Sequence, residues 1–342
     1  MKISHLTVLA GLALAAPLNA ATTEILGGMV IDCPAGSDTA IGIPFTRPIA
    51  FQGTVLSVSE NQIILNGSPD WSIDEFVYED GVQDDHYYVL FATGAKEGAF
   101  YTITSNDSNS ITVDLDPYGL GEDDDLADVA TGMETGDTIK IIPHWTPGAL
   151  IDSDGPNDIE LLLYSNNIAG TNLAASNSYQ HYTGYGWYDG GTPVENNILF
   201  PYEALTLRNS SGSDYQLVIA GGVPMEAHRS ILRTIDSGVQ QDNRIVFLSP
   251  IPEMIGNVDL NIANLTELLI FDNDLAAQNK APSNSIIYYE GYGWYDGGTR
   301  VDDPTDVPNQ FFLQPGQSYI LRKPAANAEN VVWTAVQSYL SE

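Results

Sequence analysis

GYGWYDGGT occupies residues 184–192, and the same nine residues return at 291–299, 107 positions later. The likeness extends upstream at the same spacing. Leu161-Leu162-Leu163-Tyr164 aligns with Leu268-Leu269-Ile270-Phe271, Ser176-Asn177-Ser178 with Ser283-Asn284-Ser285, and Tyr182 with Tyr289. Downstream the spacing becomes 114, so that Leu207-Arg208 matches Leu321-Arg322 and Leu217-Val218 matches Val331-Val332. The second copy therefore carries seven additional residues, around Asp302-Asp303-Pro304-Thr305-Asp306. Self-similarity over this length reads as one structural unit used twice.

The opening of the unit supplies the second architectural feature. Asp38-Thr39-Ala40-Ile41 resembles Asp242-Asn243-Arg244-Ile245, and Pro48 resembles Pro252, at a spacing of 204. That spacing exceeds 107 by 97, which predicts an insertion in the first copy over roughly residues 51–147. Inside it, Gly53-Thr54-Val55 opens a hairpin that turns at Glu60-Asn61 and returns through Gln62-Ile63-Ile64-Leu65. Residues 87–93, 99–105, 110–115 and 138–142 read as further strands, separated by turns such as Gly94-Ala95-Lys96-Glu97-Gly98. Short strands in that number suit a small closed barrel, which leaves no exposed sheet edge. The expected fold is all-β: two repeated β-sandwich-like modules, the first interrupted by a small inserted β-barrel. Module one takes residues 21–50 and 148–235, the barrel 51–147, and module two 236–342.

Composition agrees. Thirty-one glycines and 19 prolines punctuate short runs rich in Val, Ile, Thr, Tyr and Phe, and helical periodicity over a full window is nearly absent. The N-terminus reads differently. One charge at Lys2, an apolar run from Leu6 to Ala16, Pro17, and small residues at Asn19-Ala20-Ala21 form the pattern of a secretory signal peptide, residues 1–20. The run is shorter than the roughly 20 residues that span a bilayer, and no later segment is apolar enough to do so. The expected location is periplasmic, cell-surface or extracellular. Cys33 is the only cysteine, so no intrachain disulfide forms, and its strand-like surroundings predict a small buried hydrophobe.

The chain holds 45 acidic and 12 basic residues, a formal net charge of −33. Such a surface repels nucleic acid and anionic lipid and attracts cations. Asp152-Ser153-Asp154-Gly155-Pro156-Asn157-Asp158-Ile159-Glu160 places hard oxygen ligands beside a glycine, so Asp152, Asp154, Asp158 and Glu160 are candidate calcium ligands. The order departs from the EF-hand pattern, and the segment is equally a solvated polar turn. The run Glu122-Asp123-Asp124-Asp125-Leu126-Ala127-Asp128 is a further cation candidate, or a solvated loop. Calcium is the only cofactor suggested.

The duplicated motif has two readings. In a continuous strand Tyr185 and Trp187 share one face and Tyr188 takes the other, and likewise Tyr292, Trp294 and Tyr295. Aromatics then fill the end of a sandwich, while the glycines after Asp189 and Asp296 permit a tight turn. Alternatively these aromatics stack on sugar rings while Asp189 and Asp296 accept hydroxyl hydrogen bonds. Exposure of Trp187 and Trp294 separates the two. Arg208 and Arg322 occupy equivalent places in a chain poor in bases, which predicts a fixed acidic partner for each: Asp189 for Arg208 and Asp296 for Arg322.

Catalytic signatures are missing: no G-x-S-x-G elbow, no H-E-x-x-H and no Cys/His zinc spacing. His86, His144, His181 and His228 are scattered, and the counterpart of His181 in the second copy is Tyr288. No motif marks a carboxylate pair for glycoside hydrolysis, and a non-enzymatic role is favoured.

Pro34-Ala35-Gly36-Ser37-Asp38, Ile43-Pro44, Arg47-Pro48, Phe51-Gln52-Gly53, the turn at 94–98 and GYGWYDGG together resemble a family of uncharacterised exported β-rich bacterial proteins. The resemblance covers nearly the whole chain after the signal peptide. It implies export and a β-rich fold, and it brings no activity or site residues. The sequence thus points to an exported non-enzymatic β protein that binds polysaccharide or assembles at the cell surface or matrix. The alternatives are a secreted carbohydrate-active enzyme and a purely structural envelope component.

Overall fold

A computed structural model of the protein describes residues 24–116, 132–260, 262–327 and 329–341. The expected signal peptide and the acidic run 122–128 lie outside the described residues. Helix is confined, among the described residues, to one four-residue turn, Pro147–Leu150, and three 3-10 turns. Among the described residues no helix is long and apolar enough to cross a membrane.

The strands follow the chain in three groups. β1 (Leu26–Cys33) and β2 (Ser37–Ile41) come first. Six strands then close a barrel: β3 (Phe51–Ser59), β4 (Gln62–Leu65), β5 (Tyr87–Phe91), β6 (Phe100–Asn106), β7 (Ser110–Val113) and β8 (Thr138–Pro143). Their order around the barrel is β3-β4-β7-β6-β5-β8, and β8 pairs back onto β3. Alternate residues face its interior, where Val55, Ile63, Leu65, Val89, Phe91, Tyr101, Ile103, Ile111 and Ile139 are buried.

After the barrel come β9 (Ile159–Leu163), β10 (Asn177–Tyr182), β11 (Gly186–Asp189), β12 (Thr192–Pro193), β13 (Leu205–Asn209) and β14 (Tyr215–Gly222). The last group is β15 (His228–Leu232), β16 (Gln241–Val246), β17 (Glu253–Met254), β18 (Glu267–Ile270), β19 (Asn284–Tyr289), β20 (Gly293–Asp296), β21 (Thr299–Arg300), β22 (Phe312–Leu313), β23 (Ser318–Lys323) and β24 (Val331–Ala335). One six-stranded sheet has the order β12-β11-β10-β9-β13-β2 and the other β21-β20-β19-β18-β23-β16. Strand for strand, the second order repeats the first.

Each sheet shares a core with a two-stranded ribbon. Period-two alternation turns Ile31 and Cys33 of β1, and Leu217 and Ile219 of β14, onto Ile41, Leu161, Leu163, Trp187, Leu205 and Leu207. Leu232, Trp333 and Ala335 of the β15–β24 ribbon likewise join Ile245, Leu268, Ile286, Trp294 and Leu321. Among the described residues those four strands pair only within their ribbons, apart from an isolated bridge between Gly222 of β14 and Thr46.

The two halves interlock by reciprocal exchange at the sheet edges. β2 and β16 are the outer strands, and an outer strand presents unpaired backbone groups. The loop after β18 covers β2: Asp38 N donates to Ala277 O at 2.9 Å, and Asn273 bonds both the N–H and the carbonyl of Ala40, each at 2.9 Å. The loop after β9 covers β16 in the same way. Asp242 N donates to Gly170 O at 2.9 Å, while Asn166 accepts from Arg244 N at 2.8 Å and donates to Arg244 O at 3.0 Å. The opposite edges, β12 and β21, are two residues long, too short to template another strand.

Candidate functional site

The repeated motif forms the β10–β11 hairpin and its counterpart β19–β20. Gly184 (φ +81°) and Gly186 (φ +85°) bracket Tyr185, and Gly291 (φ +78°) and Gly293 (φ +102°) bracket Tyr292. Those left-handed positions end the strand early, so Tyr185 and Tyr292 stand at the turn tips, 75% and 70% exposed. Gly190-Gly191 and Gly297-Gly298 also all have positive φ, as a type I′ hairpin turn requires.

The expectation that Trp187 and Trp294 contact a ligand is overturned, since both are 0% exposed and belong to the cores. Tyr185 and Trp187 do not share a face, because the strand begins only at Gly186. Outward instead point Tyr188 and Tyr295, half-buried, each edge-on to a neighbour. Tyr182 and Tyr188 have ring centroids 5.8 Å apart, and Tyr289 and Tyr295 5.6 Å. Each sheet therefore carries three surface tyrosines: Tyr182, Tyr185 and Tyr188 on one, Tyr289, Tyr292 and Tyr295 on the other. The sequence alignment contained Tyr182 and Tyr289 without singling them out. Asp189 is exposed beside its trio, and Asp296 accepts from Asn284 Nδ2 at 2.8 Å.

The repeated arginines do have fixed acidic partners, but not the expected ones. Arg208 forks onto Asp38 at 2.7 and 2.9 Å, and Arg322 onto Asp242 at 2.7 and 3.1 Å. Cross-strand register decides this: β13 runs between β9 and β2, which places Arg208 opposite Asp38 and Glu160, far from the hairpin turn at Asp189. Arg322 lies likewise between Asp242 and Glu267. An asparagine from the other half completes each pair. Arg208 Nη2 donates to Asn279 Oδ1 at 3.0 Å while Asn279 N donates to Asp38 Oδ2 at 2.7 Å. Asn172 does the same for Arg322 and Asp242 at 3.1 and 2.7 Å. The hydrogen bond to Asp38 is the chief reason the Arg208 guanidinium holds its proton more tightly than usual, and Asp242 acts alike on Arg322.

The candidate calcium segment is folded onto β10 and β11. Trp187 Nε1 donates to Ile151 O at 2.9 Å, Thr183 Oγ1 to Gly155 O at 2.8 Å, and Gly184 N to Ser153 O at 2.6 Å. His181 places Nε2 and Nδ1 each 2.8 Å from the carbonyls of Asp152 and Pro156. Four carbonyls of the segment, and that of Ile151 just before it, thus face polar groups of the protein. Asp152 Oδ1 accepts from Asp154 N, the carboxylates of Asp154 and Asp158 point to solvent, and Glu160 lies 3.8 Å from Arg208. Among the described residues no group of three His, Cys, Asp or Glu side chains is placed to hold a metal ion.

Cys33 is buried, and burial pushes its thiol up to about 11, which leaves it protonated and unreactive. His144 and His228 are buried too, and loss of solvent pushes each down to about 3, so both rings are neutral. Compared with known proteins, the chain matches no family model, no curated protein and no solved structure.

Proposed function

We propose that this is an exported, non-enzymatic protein that binds polysaccharide through two tyrosine platforms, one on each six-stranded sheet. The observation that carries the reading is the recurrence of a surface trio, Tyr182–Tyr185–Tyr188 and Tyr289–Tyr292–Tyr295, with Tyr185 and Tyr292 its most exposed members, at the same place in both halves. A buried aromatic in a repeat serves the fold. A tyrosine at a turn tip with most of its surface in water contributes little to the core, so its repetition supports a contact with something outside the chain. Phenol rings offer flat apolar faces to sugar rings and a hydroxyl to their substituents, and Asp189 adds an acceptor beside one platform. Two platforms on one chain raise avidity for a repeating polymer without any new contact.

The rival reading, assembly by strand addition, finds less support. The long outer strands of the six-stranded sheets, β2 and β16, are covered by loops of the opposite half, and the opposite edges of those sheets are two residues long, which leaves only the edges of the β1–β14 and β15–β24 ribbons for strand addition.

The test is a glycan-binding screen of purified protein, run with calcium and with chelator, beside the Tyr185→Ala/Tyr292→Ala double variant. Binding by the native protein that falls at least tenfold in the double variant supports the reading. Absence of binding in both conditions, or binding indifferent to the two tyrosines, removes it.

A further inference from the structure

A cavity of about 260 Å³ lies where the barrel meets both modules. The barrel turn after β5 fixes the junction: Tyr202 Oη donates to Gly98 O at 2.8 Å, Ala227 N to Glu97 Oε1 at 3.0 Å, and Arg229 Nη1 to Ala95 O at 3.0 Å. Three of the chain's 12 basic residues, Arg229, Arg233 and Arg244, line this one space. Elsewhere Arg47, Lys140, Arg208, Arg300 and Arg322 each form an ion pair with a carboxylate. Arg229 and Arg244 form no ion pair among the described residues. Lys280, whose Nζ donates to Asp272 O at 2.9 Å, is likewise without an ion pair among the described residues, and what sets Arg229 and Arg244 apart is that both line one cavity.

The duplication supplies an internal control. Arg244 occupies the place of Ala40 in the first half, and Tyr164 the place of Phe271. Both positions are held by the same asparagine clamp, Asn166 for Arg244 and Asn273 for Ala40. The fold therefore accepts alanine there, and the arginine appears only in the half whose clamp borders the cavity. Its guanidinium lies 3.3 Å from the centre of the Tyr164 ring. Stacking holds the plane of the fork and leaves its N–H groups at the edge for an acceptor.

We infer that this cavity binds a small organic acid of the sugar-acid class, its carboxylate held by Arg244 and Arg229 and its ring laid against Phe100, Phe200 and Tyr202. A planar guanidinium matches a carboxylate by two parallel hydrogen bonds, and the aromatic wall gives the ring an apolar face. The volume lies just under the usual lower bound of roughly 300 Å³ for small-ligand sites, which admits one sugar unit and not a chain. Two carboxyls, Asp116 and Glu203, also line the space. Burial pushes Glu203 up to about 7, so much of it is uncharged at neutral pH. Tyr202, with φ +67°, holds a left-handed conformation that a bulky residue rarely adopts. Such strain collects at binding sites. The site stands apart from the tyrosine platforms and does not depend on them.

Isothermal titration of the full protein with glucuronate and galacturonate tests it, with glucose as neutral control and sulfate as a bare anion. The expected result is saturable uronate binding, no glucose binding, and sulfate at least tenfold weaker. Arg244→Ala, which restores the residue of the other half, weakens uronate at least tenfold, and Arg229→Gln does so severalfold. If Arg244→Ala does not fold, Arg229→Gln carries the readout, since its side chain bonds only a turn carbonyl. Because the tyrosine platforms are themselves proposed to take sugar rings, the titrations are repeated in the Tyr185→Ala/Tyr292→Ala background, where the losses from Arg244→Ala and Arg229→Gln persist. No uronate binding, affinity indifferent to Arg229, or sulfate matching uronate overturns the inference.

Discussion

The two halves of this protein share a strand order but solve one hydrogen-bonding problem differently. In the first, the indole N–H of Trp187 donates to Ile151 O at 2.9 Å. The equivalent carbonyl in the second half, Val258 O, is taken at 2.6 Å by Trp333, which stands where the first half has Ile219. Trp294, the counterpart of Trp187, is fully buried with its N–H unpartnered. The halves diverge again one strand away, where His181 faces two carbonyls and Tyr288 replaces it. His228 packs against Trp333 with ring centroids 4.1 Å apart, adding a buried imidazole to the second core. A duplicated fold thus keeps its sheet order while its buried polar groups drift, because strand pairing tolerates a change of side chain and a single carbonyl serves few donors.

The largest expected effect is on acid stability. His144 and His228 bind no proton when folded until about pH 3, whereas in the unfolded chain they titrate near 6.5. Their contribution is full above about 6.5 and is lost as pH falls toward 3. The slope is on the order of 1.4 kcal/mol per pH unit for each. Glu203, raised to about 7, acts oppositely between its unfolded value and 7, where rising pH destabilises. Between pH 7 and pH 4 Glu203 offsets about one of the two histidines, so denaturant midpoints should still be lower at pH 4, and His228→Phe should remove most of the difference. An unchanged profile would remove His228 from the contrast between the cores.

His181→Tyr writes the second half's residue into the first. It removes two buried hydrogen bonds and adds volume, at a cost of about 3 kcal/mol by urea unfolding. A cost under about 1 kcal/mol would mean that the loop at 152–158 does not depend on the imidazole. Arg208→Met and Arg322→Met probe what the halves have in common. Each should cost about 2 kcal/mol, and the two values should agree to within about 0.5 kcal/mol if the exchange is as symmetric as its distances. Trp187→Phe should cost about 1–2 kcal/mol more than Trp294→Phe, because only the former loses a made hydrogen bond. Equal costs would contradict the donor assignment. The smallest effect belongs to Tyr185→Ala and Tyr292→Ala, each within about 0.5 kcal/mol of the native stability.

Much of this was readable in residue order. Turn glycines at 190–191 and 297–298, alternating apolar residues, and the 107-residue spacing announced strands, hairpins and a repeated unit. The excess of 97 residues in the first copy marked where the barrel strands lie, 51–143. The tyrosine platforms were half legible. The motif drew attention to the right hairpins, but the strand-face rule failed at Tyr185, where left-handed glycines interrupt the strand.

By itself the sequence determined what short-range chemistry determines: strand and turn content, the duplication, and the scarcity of bases that made each repeated arginine expect a partner. Only the tertiary structure decided which partner. Asp38 lies 170 residues from Arg208, and nothing local ranks it above Asp189. The same holds for the loop exchange between halves, the burial of Trp187 and Trp294, and the cavity lined by Arg229 and Arg244. Each depends on which strands become neighbours, and that is settled by packing over the whole chain.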